Sequence, residues 1–473
     1  MVVELRDKGI NAITSLRQYM RRIKDMDITT PPHRDSDVNP GGNYPSVNYS
    51  AVNRPKPTSG HFEELHPFHS DFELVRAYQE VADAELRTPL QKHKSSGKIS
   101  VQADQIRATW GLEASTEGTI GRDPTTRELI TPLDRAKGII IGQAYGDALG
   151  RPVEFMSEDQ IQQKYGRVTD FLGDGSHHQP AGTITDDTNL ALYLVASLLR
   201  NNGFDMDDYA DQIVAWFESM PFDIGSTTLS SIDKLRNGVD PREAGHQTVE
   251  ERGEYRSAGN GSIMRCAPLA IAYPDDLDTL QEVSRQSSEI THADPRCTHG
   301  CAALNLVLAS IIRGRNDPLG IALDELSSDA PDELVELLEN LPDTDPEELS
   351  NGGYVLDTLE TALYIGLNAK HPGDALIEAV NRGDDADTVG AVTGAIVGAR
   401  FGDGKRLTEY AHKPNNSFPS RWEENIRLDL DAYRERIIPS LLELGQVAPE
   451  GITCSDSIAM EAQTLAENDG QLE

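Results

Sequence analysis

Apolar positions recur at helical spacing along most of the chain. Near the start, Ile10, Ile13, Met20 and Ile23 fall on one face, interleaved with Arg17, Arg21, Arg22 and Lys24. This predicts a basic amphipathic helix within residues 1–28, docked on its own domain or touching a partner or membrane surface. Residues 29–60 lose the pattern and are dense in Pro, Asn, Gly and Ser, which predicts a flexible linker. Residues 61–130 carry a few short helical patterns such as "DFELVRAYQEVADAEL" and no evident chemistry; His61, His66 and His69 are not backed by other ligand types. From about Asp134 the texture changes. "DRAKGIIIGQAYGDALG", "TNLALYLVASLLR", "YADQIVAWFESM", "CAALNLVLASIIRG" and "AVTGAIVGARFG" are helix-length and apolar over a broad face. The stretch 134–445 is therefore predicted to be an all-α, compact multi-helix domain preceded by an N-terminal extension. Within it, residues 314–350 are acidic and punctuated by Pro, predicting a short helix and surface loops, and residues 451–473 read as a frayed acidic tail.

Charge narrows the classes of partner. The chain has 78 Asp and Glu against 43 Lys and Arg, a formal net charge of −35, with Lys scarce beside Arg. A surface of one sign is poorly suited to duplex nucleic acid. It fits either a halophilic protein, whose charge is screened at high salt, or an acidic interaction surface. Four cysteines do not make a disulfide framework in 473 residues. Cys297 and Cys301, four apart with His299 between them, read as structural thiols rather than a metal site lacking further ligands. The N-terminus "MVVELRDKG" has charges where a signal peptide needs an apolar run, and no run of apolar residues is long enough to span a bilayer. A cytoplasmic location is expected.

The chemistry gathers at two helix mouths. In "NRGDDADTVGAVTGAIVGA", residues 381–399, Asp384, Asp385 and Asp387 precede a segment in which Gly390, Gly394 and Gly398 recur every fourth residue. One Asp suffices to cap a helix N-terminus. Several in succession repel one another unless a cation lies between them, and a hard divalent ion such as Mg²⁺ accepts carboxylate and hydroxyl oxygens. "GTITDDTNLALYLVASLL", residues 182–199, repeats the design with Thr185, Asp186 and Asp187. Two such mouths converging on one place would share two metal ions, and the glycine ladder would let its helix approach the centre of the fold.

Five stretches, in order, resemble the motifs of the ADP-ribosylglycohydrolase family: "GQAYGDALGRPVEF" (142–155), "GTITDDT" (182–188), "SAGNGSIMRCAPLA" (257–270), "THADP" (291–295) and "NRGDDADTVGAVTGAIVGA" (381–399). The resemblance implies an all-α fold around a binuclear Mg²⁺ centre. It also implies hydrolysis of an N- or O-glycosidic bond at C1″ of an ADP-ribosyl group, on an ADP-ribosylated protein or a small ADP-ribosyl ligand; the alternative is a non-catalytic member that binds ADP-ribose. Carried over by position, Thr185, Asp186, Asp187, Asp385, Asp387 and Thr388 would be metal ligands. Glu154 matches a mobile acidic residue near the scissile bond and is the first candidate for general base, with Asp187 the second. Asn260, Gly261 and Ser262 match a loop whose amides face the diphosphate, and His292 matches a position beside the ligand. Arg265 is expected to brace that loop by pairing with a carboxylate. Where the family pattern has a second glycine, this chain has Asp384, so Asp384 and Asp385 compete for the metal-facing place and register favours Asp385.

Overall fold

The computed structural model describes residues 130–253, 256–403, 417–444 and 456–469. The amphipathic helix, linker and helical segment predicted for residues 1–129 lie outside them. Seventeen helices carry the argument: α1 (Pro132–Gly150), α2 (Glu158–Tyr165), α3 (Asp186–Asn201), α4 (Met206–Glu218), α5 (Ser226–Arg236), α6 (Pro241–Arg252), α7 (Pro268–Ala272), α8 (Leu277–Glu289), α9 (Pro295–Ile312), α10 (Pro318–Glu325), α11 (Asp332–Asn340), α12 (Val355–Asn368), α13 (Pro372–Asn381), α14 (Ala386–Phe401), α15 (Ser420–Asn425), α16 (Ile438–Leu444) and α17 (Asp456–Asp469). Among the described residues there is no strand, only three isolated bridges. None of the helices is long and apolar enough to cross a membrane.

The centre of the domain is an antiparallel pair, α1 against α14. The start of α1 is fixed by a capping box. The Thr131 hydroxyl accepts from the Asp134 N–H, and the Asp134 carboxylate accepts from the Thr131 N–H, with Pro132 in the first turn. Both helices are buried nearly all round, with small and apolar residues at most positions. They meet glycine to glycine. A Cβ added at Gly138, Gly142 or Gly146 would lie 2.0, 2.2 or 1.9 Å from the carbonyl oxygen of Gly398, Gly394 or Gly390, and one at Gly150 would lie 2.3 Å from that of Ala386. The ladder noticed on α14 therefore has a reciprocal ladder on α1, equally visible in the sequence as glycines at 138, 142, 146 and 150. Running antiparallel, it brings the C-terminal end of α1, with Asp147 and the turn to Glu154, to the N-terminal end of α14, with Asp385 and Asp387.

Around this pair, α9, α12 and α13 cover α14, while α8 covers α9. Two expectations change. The acidic stretch 314–350 holds two short helices, α10 and α11, whose Ala322, Leu334 and Leu338 are buried. The supposed frayed tail contains α17, which packs on α3 through Ile458, Ala459, Ala462 and Ala466. Three of those four contacts are alanines. So small an apolar stripe, set among Glu and Asp, does not stand out as amphipathic although it recurs at i, i+4 and i+8.

Candidate metal and catalytic site

Asp147, near the end of α1, organises the first helix mouth. Its carboxylate accepts the backbone N–H of Thr185 (2.9 Å) and of Thr188 (3.1 Å) and the Thr188 hydroxyl (2.5 Å). It thus caps α3 from another part of the chain and fixes where Asp186 and Asp187 project. Burial pushes the Asp147 carboxyl up to about 6 even against those hydrogen bonds. Thr185 is the N-cap residue of α3, and its hydroxyl donates to Asp187 Oδ2 at 3.0 Å. Asp187 Oδ1 is buried with no partner. The Gln143 side chain, also on α1, donates to the carbonyls of Asp187 (3.2 Å) and Met264 (2.9 Å), tying the two loops to the central pair.

The second mouth is held by the chain around Asn351. Its side-chain amide donates to the carbonyls of Ala379 (2.9 Å) and Gly383 (3.2 Å), and its own carbonyl accepts the Asp385 N–H (2.9 Å). Asp385 stands at the N-cap of α14 yet makes no capping hydrogen bond; its carboxylate accepts from Asn260 Nδ2 at 2.9 Å and from the Thr388 hydroxyl. Capping therefore does not account for it. Asp384 is exposed, with a φ of 52°, which explains why glycine suits that position. Asp385 is the half-buried one of the pair, with its carboxylate held by Asn260.

A clamp joins the turn after α1 to the second mouth. The Phe155 N–H donates to the Asp384 carbonyl (2.6 Å) and the Asp384 N–H to the Met156 carbonyl (2.7 Å). Phe155 has a φ of 65°, an unfavourable conformation for a bulky residue, and remains 40% exposed at the rim of the cluster. Glu154, just before it, is buried. One ligand atom from each of Glu154, His177, Asp223 and Asp387 lies within 4.8 Å of the others. Neither His177 nor Asp223 is among the residues expected from the sequence; both sit in aperiodic loops, "GDGSHHQP" and "SMPFDIGS", where no spacing rule applies.

The electrostatics are one-sided. Burial raises the carboxyls of Glu154, Asp186, Asp187 and Asp387 well above the ordinary range, and their neighbours add to it: Asp223 and Asp385 act on Glu154, Asp223 on Asp186, Asp387 on Asp187, and Glu154 on Asp387. The adjacent Arg151 guanidinium donates to the carbonyls of Leu172 (2.8 Å), Asp174 (3.1 Å) and Pro180 (3.2 Å). Buried like charges at this density require protons or cations between them. The donors are almost all oxygen, and the unpartnered Asp187 oxygen is one that a cation would satisfy, so the residues fit a hard divalent ion.

The remaining expected residues lie alongside. Asn260 bridges Asp385 and Thr358, and its backbone N–H donates to the Gly353 carbonyl (3.2 Å), so that amide is already engaged rather than open to a phosphate. Gly261 lies so close to His292 that a Cβ would meet the ring at 2.8 Å. His292 bonds Thr291 through Nδ1 (2.8 Å), and burial lowers its pKa to about 3, keeping it neutral. The Ser262 hydroxyl is turned into the core, bonded to Ser288 (2.8 Å). Arg265 pairs with the Thr291 hydroxyl (2.7 Å) and lies over the Tyr209 ring rather than on a carboxylate. Cys266, Cys297 and Cys301 are buried free thiols, outside the metal-like group.

Both the sequence and the fold have relatives among known proteins. A family model described as ADP-ribosylglycohydrolase matches residues 128–447. The chain is 30% identical over 314 residues to the ADP-ribosyl-[dinitrogen reductase] glycohydrolase of Rhodospirillum rubrum, covering 66% of this chain and 96% of that protein. It is 30% identical over 326 residues to the ADP-ribosylarginine hydrolase Tri1 of Serratia proteamaculans, covering 67% and 81%. Among solved structures, an "ADP-ribosylglycohydrolase-related protein complex" superposes with a TM-score of 0.54 and 31% identity, covering 67% of this chain and all of that one.

Proposed function

The chain belongs to the ADP-ribosylglycohydrolase family, hydrolases acting on glycosyl bonds, and from that premise we propose that it cleaves the C1″ glycosidic bond of ADP-ribosylated protein, releasing ADP-ribose with the help of two Mg²⁺ ions. The observation that carries the reading is the convergence of both Thr/Asp mouths and Glu154 on one buried, oxygen-rich cluster. The name of the relative from Serratia proteamaculans, an ADP-ribosylarginine hydrolase, makes arginine-linked ADP-ribose the first substrate to test. In this reading Thr185, Asp186, Asp187, Asp385, Asp387 and Thr388 hold the metals. When bound, the ions supply Lewis-acid polarisation of the ribose hydroxyls and relieve the repulsion among the carboxylates.

The chain's own groups do the rest. Positive charge develops at C1″ as the bond to the leaving group lengthens. The surrounding carboxylates favour that charge electrostatically. Glu154 takes the proton of the attacking water, its buried, carboxylate-ringed position giving it the raised basicity that a general base needs near neutral pH. Asp187, with one unpartnered oxygen, orients water in a supporting role. Asn260 holds Asp385 in place, and neutral His292 supports the 259–262 loop from behind.

The test is release of free ADP-ribose from an ADP-ribosylated arginine substrate with Mg²⁺, against an EDTA control. Asp187→Ala and Asp385→Ala are each expected to lower turnover by roughly 100-fold or more with the circular dichroism spectrum unchanged. Wild-type turnover in either variant would remove the assignment.

A further inference from the structure

We propose that His177 is a positioning residue, holding the Glu154 carboxylate over Asp387 and acting on the reaction only through it. The inference rests on the role given to Glu154 above. Glu154 lies where its neighbours push it away. Asp223, Asp385 and Asp186 all act on it electrostatically, and Asp387 shares a hydrogen bond with it. The residue after it, Phe155, holds a strained backbone at an exposed rim. A glutamate so placed is driven out of the cluster by repulsion unless a partner holds it. His177 Nε2 is hydrogen-bonded to Glu154 Oε2, and it is the partner on that carboxylate that adds no negative charge.

The loop carrying His177 is built to deliver it. Three carbonyls of residues 172–180 accept from Arg151, the Ser176 N–H donates to the Pro152 carbonyl (3.1 Å), and the Ser176 hydroxyl to the Glu154 carbonyl (2.5 Å). The loop is thus fastened to the very turn that bears Glu154. The imidazole itself is buried, edge-on to Phe222 at 5.4 Å and inclined to Phe155 at 5.8 Å, so its rotamer is fixed by packing. Its Nδ1 is buried without a partner. A histidine kept only for packing leaves that nitrogen as a cost that an apolar ring of similar size would avoid. What an apolar ring could not supply is the bond to Glu154. Asp223 Oδ2, 3.8 Å from Nε2, is too far to compete for it.

Replacement by alanine, glutamine and asparagine, alone and in a Glu154→Gln background, tests this with ADP-ribosylated arginine and Mg²⁺. His177→Ala is expected to lower kcat about 10- to 100-fold with KM changed less than about threefold. His177→Gln, whose amide nitrogen reaches where Nε2 lies, recovers to within about fivefold of wild type, while the shorter His177→Asn does not. In Glu154→Gln, adding His177→Ala changes kcat less than about twofold, because the histidine no longer has a carboxylate to hold. A full additional loss in that background, or a raised Mg²⁺ requirement there, overturns the proposal and makes His177 an independent participant. Wild-type kcat in His177→Ala overturns it too, with the Glu154 reading intact; wild-type kcat in Glu154→Gln alone defeats both. If the alanine variant does not fold, the glutamine and asparagine pair decides.

Discussion

The two ends of the α1–α14 ladder are structurally alike but unequally placed with respect to the chemistry, which makes them a controlled pair. A Cβ at Gly150 would lie 2.3 Å from the Ala386 carbonyl oxygen and 2.5 Å from the Asp387 Cα; one at Gly138 would lie 2.0 Å from the Gly398 carbonyl oxygen. A carbon in contact with a carbonyl oxygen sits at about 3.3 Å, so either alanine forces the backbones apart by about 1 Å locally. Overpacking of this kind costs about 1–3 kcal/mol, toward the upper end here because main chain meets main chain and no rotamer offers escape. The helix propensity of alanine returns up to about 1 kcal/mol. The net loss is about 2 kcal/mol for each variant, a fall in Tm of roughly 3 °C for a domain of this size. Turnover divides them. Gly150→Ala displaces Asp387 directly, and a displacement of about 1 Å is worth up to about 100-fold in rate. Gly138 is about 18 Å away along α1, so Gly138→Ala should retain kcat within about threefold. Paired calorimetry and initial-rate measurements on the same preparations decide it. A Gly150→Ala enzyme with native Tm and kcat, or a folded Gly138→Ala enzyme equally inactive, would show that the ladder does not set the position of the metal-binding end.

Three further outcomes follow from the same geometry. Asp147 has a folded pKa raised to about 6, so the stability it contributes is full below its unfolded value of about 4 and is lost as pH rises through about 6; with Glu154, Asp186, Asp187 and Asp387 shifted in the same direction, the EDTA-treated protein should lose Tm between pH 4 and 7, and the Tm gained on adding Mg²⁺ should grow over that interval. A gain independent of pH would contradict cation binding by these carboxylates. Asp384→Gly relieves a left-handed conformation without touching the cluster, so thermal melts should show unchanged or slightly raised stability, with kcat within about threefold of wild type. Ala462→Asp places a charge in the buried contact of α17 with α3 and should lower Tm by several degrees while a shortened chain ending before residue 456 does the same; an unaffected Tm in both would make that helix an ornament.

How much of this was legible beforehand depends on whether a residue sits in a periodic element. Thr185, Asp186, Asp187, Asp385 and Asp387 could be singled out because each stands at the head of a strongly apolar helix, where an excess of carboxylates over the single cap needed is conspicuous, whereas Thr388 entered only through the family resemblance. The all-α architecture followed from broad apolar faces of helix length. His177 and Asp223 could not be found in this way, since loops have no period and their approach to Glu154 depends on tertiary hydrogen bonds such as those of Arg151. The role of Asp147 was hidden for a related reason: it caps a helix that begins far from it in sequence. Arg265 was misread because a buried guanidinium was expected to seek a carboxylate, whereas a hydroxyl and an aromatic face meet it instead. The C-terminal helix escaped notice because alanines, the smallest apolar side chains, make up most of its buried stripe.

The clamp between Phe155 and Asp384 consists of main-chain hydrogen bonds, which substitution of either side chain leaves in place. Of the two side chains at that junction, the Phe155 ring leans on His177, so Asp384, an exposed carboxylate on a backbone that glycine would also fit, is the one that can vary without disturbing the site. Drift at that point can alter what the rim will admit while the hydrolytic groups beneath keep their register. A lineage could change the molecules it accepts through such edits alone, without rebuilding the machinery that cuts them.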